Sequence, residues 1–455
     1  MRENFGKNDL TTGVVWKKLL IFFLPIAAGT CIQQLYNAVD GMIVGKFVGT
    51  SALAAVGGSS AQIINLLIGF FTALTAGASV VISHIYGAGK REDVQRASAN
   101  AIAVCTLMGL GLMVFGLLAT PWMLRILKTP EDTIPGSIQY LRIYFVGVPF
   151  ILVLNMESNT LRAVGDSYSP FIYMVAGCVS NIVMDCGFVL CFHLGVAGVA
   201  IATVLAQFIN LWLLTRKLLT TKEEYRLDLR GIKLNGRYIS NMMKIGVPAG
   251  LQSSMYAVSN MIIQVAFNTL GTVAVASWSM CSKVDGIFWA VSSALGAAVV
   301  TFVGQNTGAG KPERVKACTK QGLVLSLAIT LSLSGIIMLF ANPLLALLTD
   351  DADVISTSFT MLSYLVPFYF TWTMVEILSA VLKGAGDAVK PVIIIGLGIC
   401  LFRVVWMATV FAHFGTLKSL CPAYPVSWTV TGLALLIYYK LGKWNTQSGK
   451  RLVEK

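Results

Sequence analysis

Apolar residues recur along the chain in long blocks separated by short polar stretches. Crossing the ~30 Å hydrocarbon layer of a bilayer takes ~20 helical residues. Twelve blocks reach that length, near 17–45, 52–83, 94–120, 138–161, 170–192, 195–217, 239–267, 274–304, 317–341, 355–382, 391–413 and 423–440. Main-chain amides and carbonyls find no partner in lipid, so blocks of this kind must be helices. Interior glycines such as Gly69, Gly77, Gly177 and Gly296 suit helices that approach closely. The expectation is an all-α integral membrane protein with twelve transmembrane helices.

The polar stretches between blocks repeat. GAGKREDV at 87–94 matches GAGKPERV at 308–315, and LRAVGDSYSP at 161–170 matches LKGAGDAVKP at 382–391. Both pairs are 221 residues apart, which marks a tandem repeat. Six spans per repeat is an even number, so the halves are parallel and related by a pseudo-two-fold axis along the membrane normal. The chain then divides into an N-terminal six-helix lobe at 1–219, a cytoplasmic linker at 220–238 that starts as a surface helix, and a C-terminal six-helix lobe at 239–455. Transporters of this design bind substrate between repeats and rock them for alternating access. The GAGK loops lack the GxxxxGK[ST] pattern of a phosphate cradle. Gly87, Gly89, Gly308 and Gly310 are expected in tight turns, with Lys90 and Lys311 at the lipid headgroups.

Composition agrees with the pattern. Hydrophobic residues make up 56% of the chain and charged ones 12%, against about 25% charged in soluble domains. With the N-terminus in the cytoplasm, 27 of the 34 Lys and Arg fall on cytoplasmic segments, including Arg2, Lys7, Arg162 and the tail from Lys440 on. Five fall outside, and Lys283 and Arg403 fall within spans. Such a bias places both termini in the cytoplasm. It also accounts for the net charge of +13 without a nucleic-acid partner. The polar start MRENFGKND and the absence of a small-residue cleavage site argue against a cleavable signal. The nine cysteines show no CxxC or Cys/His spacing, so neither a disulfide nor a metal site is expected. His84, His193 and His413 lie near span ends and are expected at the interface. No catalytic motif or cofactor signature appears; the chain reads as a non-enzyme, monomeric, with small organic molecules and the bilayer as its partners.

Ionisable side chains inside spans carry the candidate chemistry, because each costs ~2.5–3.5 kcal/mol at mid-bilayer. They are Asp40, Glu157, Asp185, Asp285, Glu376, Lys283 and Arg403. Asp40 shares a helix face with Asn37 and Tyr36, and Asp185 shares one with Asn181. If these helices converge, the two carboxyls, the amides and the Thr203 hydroxyl line a polar pocket in the N-terminal lobe. Two neighbouring carboxylates in low dielectric do not both ionise easily, which suits carrying H⁺; the same oxygens suit Na⁺. Arg403 is placed to neutralise Glu376 or Asp285, Lys283 is expected in an ion pair, and Glu157 is expected partly wet near the cytoplasmic end. Tyr36, Asp285, Glu376, Met280 and Trp289 are candidate substrate contacts.

These residues resemble those of the MATE family, the multidrug and toxic compound extrusion transporters. The likeness covers nearly the whole chain and is most specific in QQLYNAVDGMIVGKFVGTSALAAVG at 33–57, LRAVGDSYSP, GVAGVAIATVLAQ at 195–207 and VGQNTGAGKPERV at 303–315. The chain looks most like the DinF-like branch, which includes multidrug exporters of Gram-positive bacteria. That resemblance implies coupling roles for Asp40, Asn181, Asp185 and Thr203. It also implies a first helix that can bend at Pro25, with protonation proposed as the trigger. The NorM-like branch uses C-terminal-lobe acids instead; this chain has no glutamate on its seventh span, although Asp285 and Glu376 keep some acidity there. The implied activity is antiport, with organic, often cationic and amphipathic compounds exported against H⁺ or Na⁺. A lipid-linked saccharide flippase of the wider superfamily is the alternative, and a receptor or channel is the alternative from another class.

Overall fold

The structure is a computed structural model that describes residues 9–223, 225–228, 234–442 and 444. The charged positions Arg2, Lys7, Arg230, Lys233, Lys443, Lys450, Arg451 and Lys455 lie outside the described residues, as do the start of the chain and part of the linker. Among the described residues there are helices and connections but no strands.

Twelve long helical segments follow in order: α1 (Val15–Val48), α2 (Ala52–Gly87), α3 (Arg91–Ile126), α4 (Ile134–Ala163), α5 (Tyr168–Cys191), α6 (Gly195–Thr220), α7 (Gly236–Thr269), α8 (Gly286–Gly308), α9 (Pro312–Leu339), α10 (Ala352–Gly384), α11 (Val389–Phe414) and α12 (Leu417–Leu441). All but α7 are long and apolar enough to cross a membrane. The exception is a 34-residue helix in which Gln252, Ser253, Ser254, Asn260 and Gln264 dilute the apolar residues. The expected eighth span at 274–304 is corrected: a separate helix, Thr272–Val284, ends at Asp285 and α8 begins beyond it. Asp285 therefore sits at a helix junction. The first part of the junction that starts at Thr215 is helical, as the end of α6, which runs on to Thr220; irregular chain follows.

The repeat is visible in the backbone. Gly89 and Gly310 have φ of 71° and 67°, and Gly165 and Gly386 both have 93°. These left-handed values are costly for any residue with a Cβ, and each pair is separated by the repeat offset. Close packing also needs glycine. A Cβ on Gly77 of α2 would strike the backbone of Met242 and Gly246 of α7, and one on Gly116 of α3 would strike the Phe145 ring of α4.

The chain forms two compact units, one holding Leu24–Gly250 and the other Leu10–Phe23 with the chain from Leu251 on. The two helices that pass from one unit to the other, α1 and α7, each carry a proline beside the crossing, Pro25 and Pro248. Each lead-in is tied to a GAGK loop. Ahead of α1, the carbonyls of Leu10, Thr12 and Gly13 accept from Arg314, and that of Thr11 accepts from Lys311 Nζ at 2.8 Å. At the start of α7, Tyr238 donates to Asp93 at 2.8 Å, and Asn235 N–H to Asn100 at 2.7 Å. Lys311 is thus engaged with protein rather than left for headgroups.

Candidate functional site

Asp185 lies on α5 with no exposed surface, and Asn181 one turn earlier is 2% exposed. The network fixes the Asn181 amide: its nitrogen donates to Asp185 Oδ2 at 2.9 Å, and its oxygen accepts from the Thr203 backbone N–H at 3.3 Å. Thr203 therefore contributes main chain rather than the expected hydroxyl. Asp40 comes across from α1 to within hydrogen-bonding reach of Asp185. Oδ1 of each carboxyl is buried without a donor, and no cationic side chain of the described residues stands beside either.

Asn37 does not join this group. It is exposed and donates weakly to Gln34, at 3.5 Å. Tyr36 is the side chain one turn back that does approach, and Tyr140 and Tyr144 of α4 complete the surroundings. The α4 pair, with ring centroids 5.9 Å apart, was not foreseen; two tyrosines at i and i+4 on an apolar span were the available signal. Both acid-bearing helices widen into a π-helical turn shortly after the acid, at Val44–Val48 and Gly187–Cys191. Such turns insert an extra residue and are frequent at functional positions. Beyond them Ile43, Val44, Ala52, Val189 and Val199 pack into an apolar cluster that closes this end of the group.

A cavity of about 370 Å³ opens on the other side of Tyr36 and Asn181. One stripe of α4 lines it: Tyr144, Ile151, Asn155, Ser158 and Arg162. At 1.5 Å per residue that stripe extends ~27 Å. Gln207 and Asn210 of α6 face it, and Met174 and Cys178 of α5 add apolar surface.

The remaining candidates belong to the other unit. Asp285 accepts from Tyr369 at 2.9 Å and lies against an aromatic cluster of Phe288, Trp289, Tyr369, Trp372 and Trp428. Met280 is half-buried on the preceding helix. Glu376 occupies the space left by Gly296 and interacts with Lys383 two turns along α10. Three expectations are corrected here. Among the described residues Arg403 pairs with no carboxylate; it lies 4.0 Å from the Tyr424 ring centroid and donates to Ser427. Lys283 is exposed and makes no ion pair among the described residues. Glu157 is 1% exposed and accepts from Thr215 at 2.7 Å, so it is not wet. His193 and His413 are exposed, but His84 is fully buried. All nine thiols are free.

The MatE family profile matches the chain twice, at residues 25–186 and 248–409. A probable multidrug resistance protein of Bacillus subtilis, YoeA, is 27% identical over 449 residues, covering 97% of this chain and 96% of its own. An FAD transporter of Shewanella oneidensis is 24% identical over 444 residues, covering 94% and 95%. Among solved structures, an outward-facing MATE transporter of the MOP superfamily superposes with a TM-score of 0.90 at 22% identity over the whole of both chains. A MATE in the bent conformation gives 0.87 over 98% of each, also at 22% identity.

Proposed function

Because the chain belongs to the MatE family of membrane transporters, we propose that it exports organic compounds by alternating access, driven by cation entry through the Asp40–Asp185 pair. The observation that carries this reading is the pair itself. Two carboxyls within hydrogen-bonding reach, with unpartnered buried oxygens and no basic neighbour, cannot both stay charged without a cation between them. A proton needs only those two oxygens. Na⁺ needs several more oxygen ligands, and Asn37, one of the residues expected to supply them, stands apart from the pair. Proton coupling is therefore the favoured form.

Asn181 holds Asp185 in place, and both carboxyl-bearing helices carry a π-helical turn just beyond the acid. Pro25 removes one hydrogen bond from α1 and gives that helix a point at which to bend when the pair changes its proton count. The cargo reading draws on multidrug-resistance relatives and on the amide- and tyrosine-lined cavity next to the pair. The protein works as a monomer in a bacterial plasma membrane, with both termini in the cytoplasm.

Ethidium efflux from everted vesicles tests the coupling. Asp40→Asn is expected to abolish gradient-driven export while membrane insertion is unchanged; unchanged export removes Asp40 from the coupling site. Replacing the imposed H⁺ gradient by Na⁺ identifies the ion, and export driven by Na⁺ alone overturns the proton assignment.

A further inference from the structure

We propose that the N-terminal cavity recognises an anionic group, a carboxylate or a phosphate, on the exported compound through Arg162. The preferred cargo is then an aromatic anion or zwitterion rather than a simple cation. That the ligand is cargo rests on the export reading above; that Arg162 binds an anion rests on the structure alone.

Three observations converge on Arg162. Every other residue lining the cavity is neutral, so the lining carries a single formal charge and it is positive. The guanidinium Nε is buried with no partner, and no carboxylate pairs with this side chain among the described residues. A buried charge normally keeps a counter-ion, because leaving one unpaired in low dielectric is costly.

The internal repeat shows what the missing counter-ion would be. The residue 221 positions beyond Arg162 is Lys383, and the residue 221 positions beyond Asn155 is Glu376. In the C-terminal half Glu376 stands two turns before Lys383 on the same helix, and the two opposite charges act on each other. In the N-terminal half the same spacing holds an amide. Glu157, the acid on the same helix, turns to Thr215 instead. The chain thus sets a carboxylate at that spacing from one of two equivalent cations and an amide at that spacing from the other, which faces a cavity. Ser158, Gln207 and Asn210 line the same cavity with neutral hydrogen-bonding groups, and Tyr36 and Tyr144 line it with ring surface. A planar guanidinium binds carboxylate and phosphate oxygens in bidentate fashion.

The test is equilibrium binding to the purified full-length protein in a neutral maltoside detergent, read by fluorescence anisotropy. Two rhodamine dyes are compared, one with a free carboxylate and one with that group as its methyl ester. Wild type is expected to bind the acid about tenfold more tightly, the usual worth of a charge-assisted pair. Arg162→Gln should remove the preference while leaving ester binding unchanged. Asn155→Glu, which installs the carboxylate of the C-terminal half, should remove it with Arg162 still present. Arg162→Lys should retain part of it. Equal affinities in wild type, or equal losses for both dyes in Arg162→Gln, overturn the proposal. A second arm adds phosphatidylglycerol: if lipid abolishes the preference, Arg162 holds a headgroup and the cargo assignment is overturned. An intact acid preference in a protein that exports nothing under either ion gradient would instead sink the export reading and leave the anion site standing.

Discussion

The two halves share their left-handed glycines and their proline-marked crossings, yet they fill the middle of the bundle in opposite ways. The N-terminal half keeps a cavity, two facing carboxyls and an arginine without a counter-ion. The C-terminal half fills its interior with rings, stacking Phe288 on Tyr369 at 4.2 Å and packing Trp289, Trp372 and Trp428 around them. Two of its buried ionisable groups have partners: Asp285 accepts from Tyr369, and Arg403 donates to Ser427 and lies on the Tyr424 ring. Equivalent positions make the contrast sharper. Asp185 corresponds to Trp406 and Thr203 to Tyr424. A repeat conserves what the backbone needs, which is glycine at turns and at close approaches. It leaves the interior chemistry free to diverge, so one copy can hold facing carboxyls and a cavity while the other packs aromatic rings.

The largest expected effect breaks the comparison at its acids. Asp185→Asn should lower gradient-driven export about 100-fold or more, because the pair then has one titratable member. Asp285→Asn should leave export within roughly threefold and lower the melting temperature, as expected for a weakened buried hydrogen bond of about 1.5–3 kcal/mol. Abolished export with unchanged stability in Asp285→Asn would place the C-terminal acids in the coupling path and erase the contrast. Next in size is Trp428→Ala. Trp428 is 1% exposed and touches Trp289, Tyr369, Trp372 and Tyr424. Its truncation should cost ~3–5 kcal/mol of stability, read as a large drop in melting temperature in detergent, with export per folded molecule retained. A selective loss of export instead would make the aromatic cluster a substrate surface.

Much of this was legible before the structure. Long apolar runs announce helices because lipid offers the backbone no alternative, and two equally spaced loop motifs announce the repeat. Asp40 and Asp185 are conspicuous in the sequence because charge is costly in a span, but their meeting depends on how their helices converge, which helix faces alone do not fix. Asn37 was misplaced because a shared face is about 100° wide, and three residues back is enough rotation to leave the pair. Arg403 was assigned a carboxylate partner because sequence shows charge but not ring faces; Tyr424 and Ser427 satisfy it without an ion pair. Arg162 was taken for a topology marker. Its place on the cavity stripe depends on how α4 turns against α5 and α6, which no local pattern encodes. The repeat alignment with Lys383 and Glu376 was the one signal that pointed to it.

The smallest expected effects concern the two lead-ins, where equivalent positions carry opposite charge. Arg314 corresponds to Asp93, and each selects the partner its charge allows. Arg314 donates to the carbonyls of Leu10, Thr12 and Gly13 at 3.0, 3.2 and 2.8 Å and to Asn306 Oδ1 at 2.9 Å. Asp93 accepts a single hydroxyl, that of Tyr238. Main-chain carbonyls accept from any donor in reach, so the first lead-in needs no particular side chains, whereas the second is held by one tyrosine hydroxyl and by the Asn235 N–H on Asn100. Arg314→Ala removes a multidentate contact and should speed amide exchange across residues 10–14 about tenfold, equivalent to ~1.4 kcal/mol of local opening. Tyr238→Phe removes one bond worth ~0.5–1.5 kcal/mol and should speed exchange at 234–238 by less, with no change at 10–14. Hydrogen exchange followed by mass spectrometry resolves both segments. Equal acceleration of both segments by either variant would mean that the lead-ins open together, and that the two halves do not hold them independently.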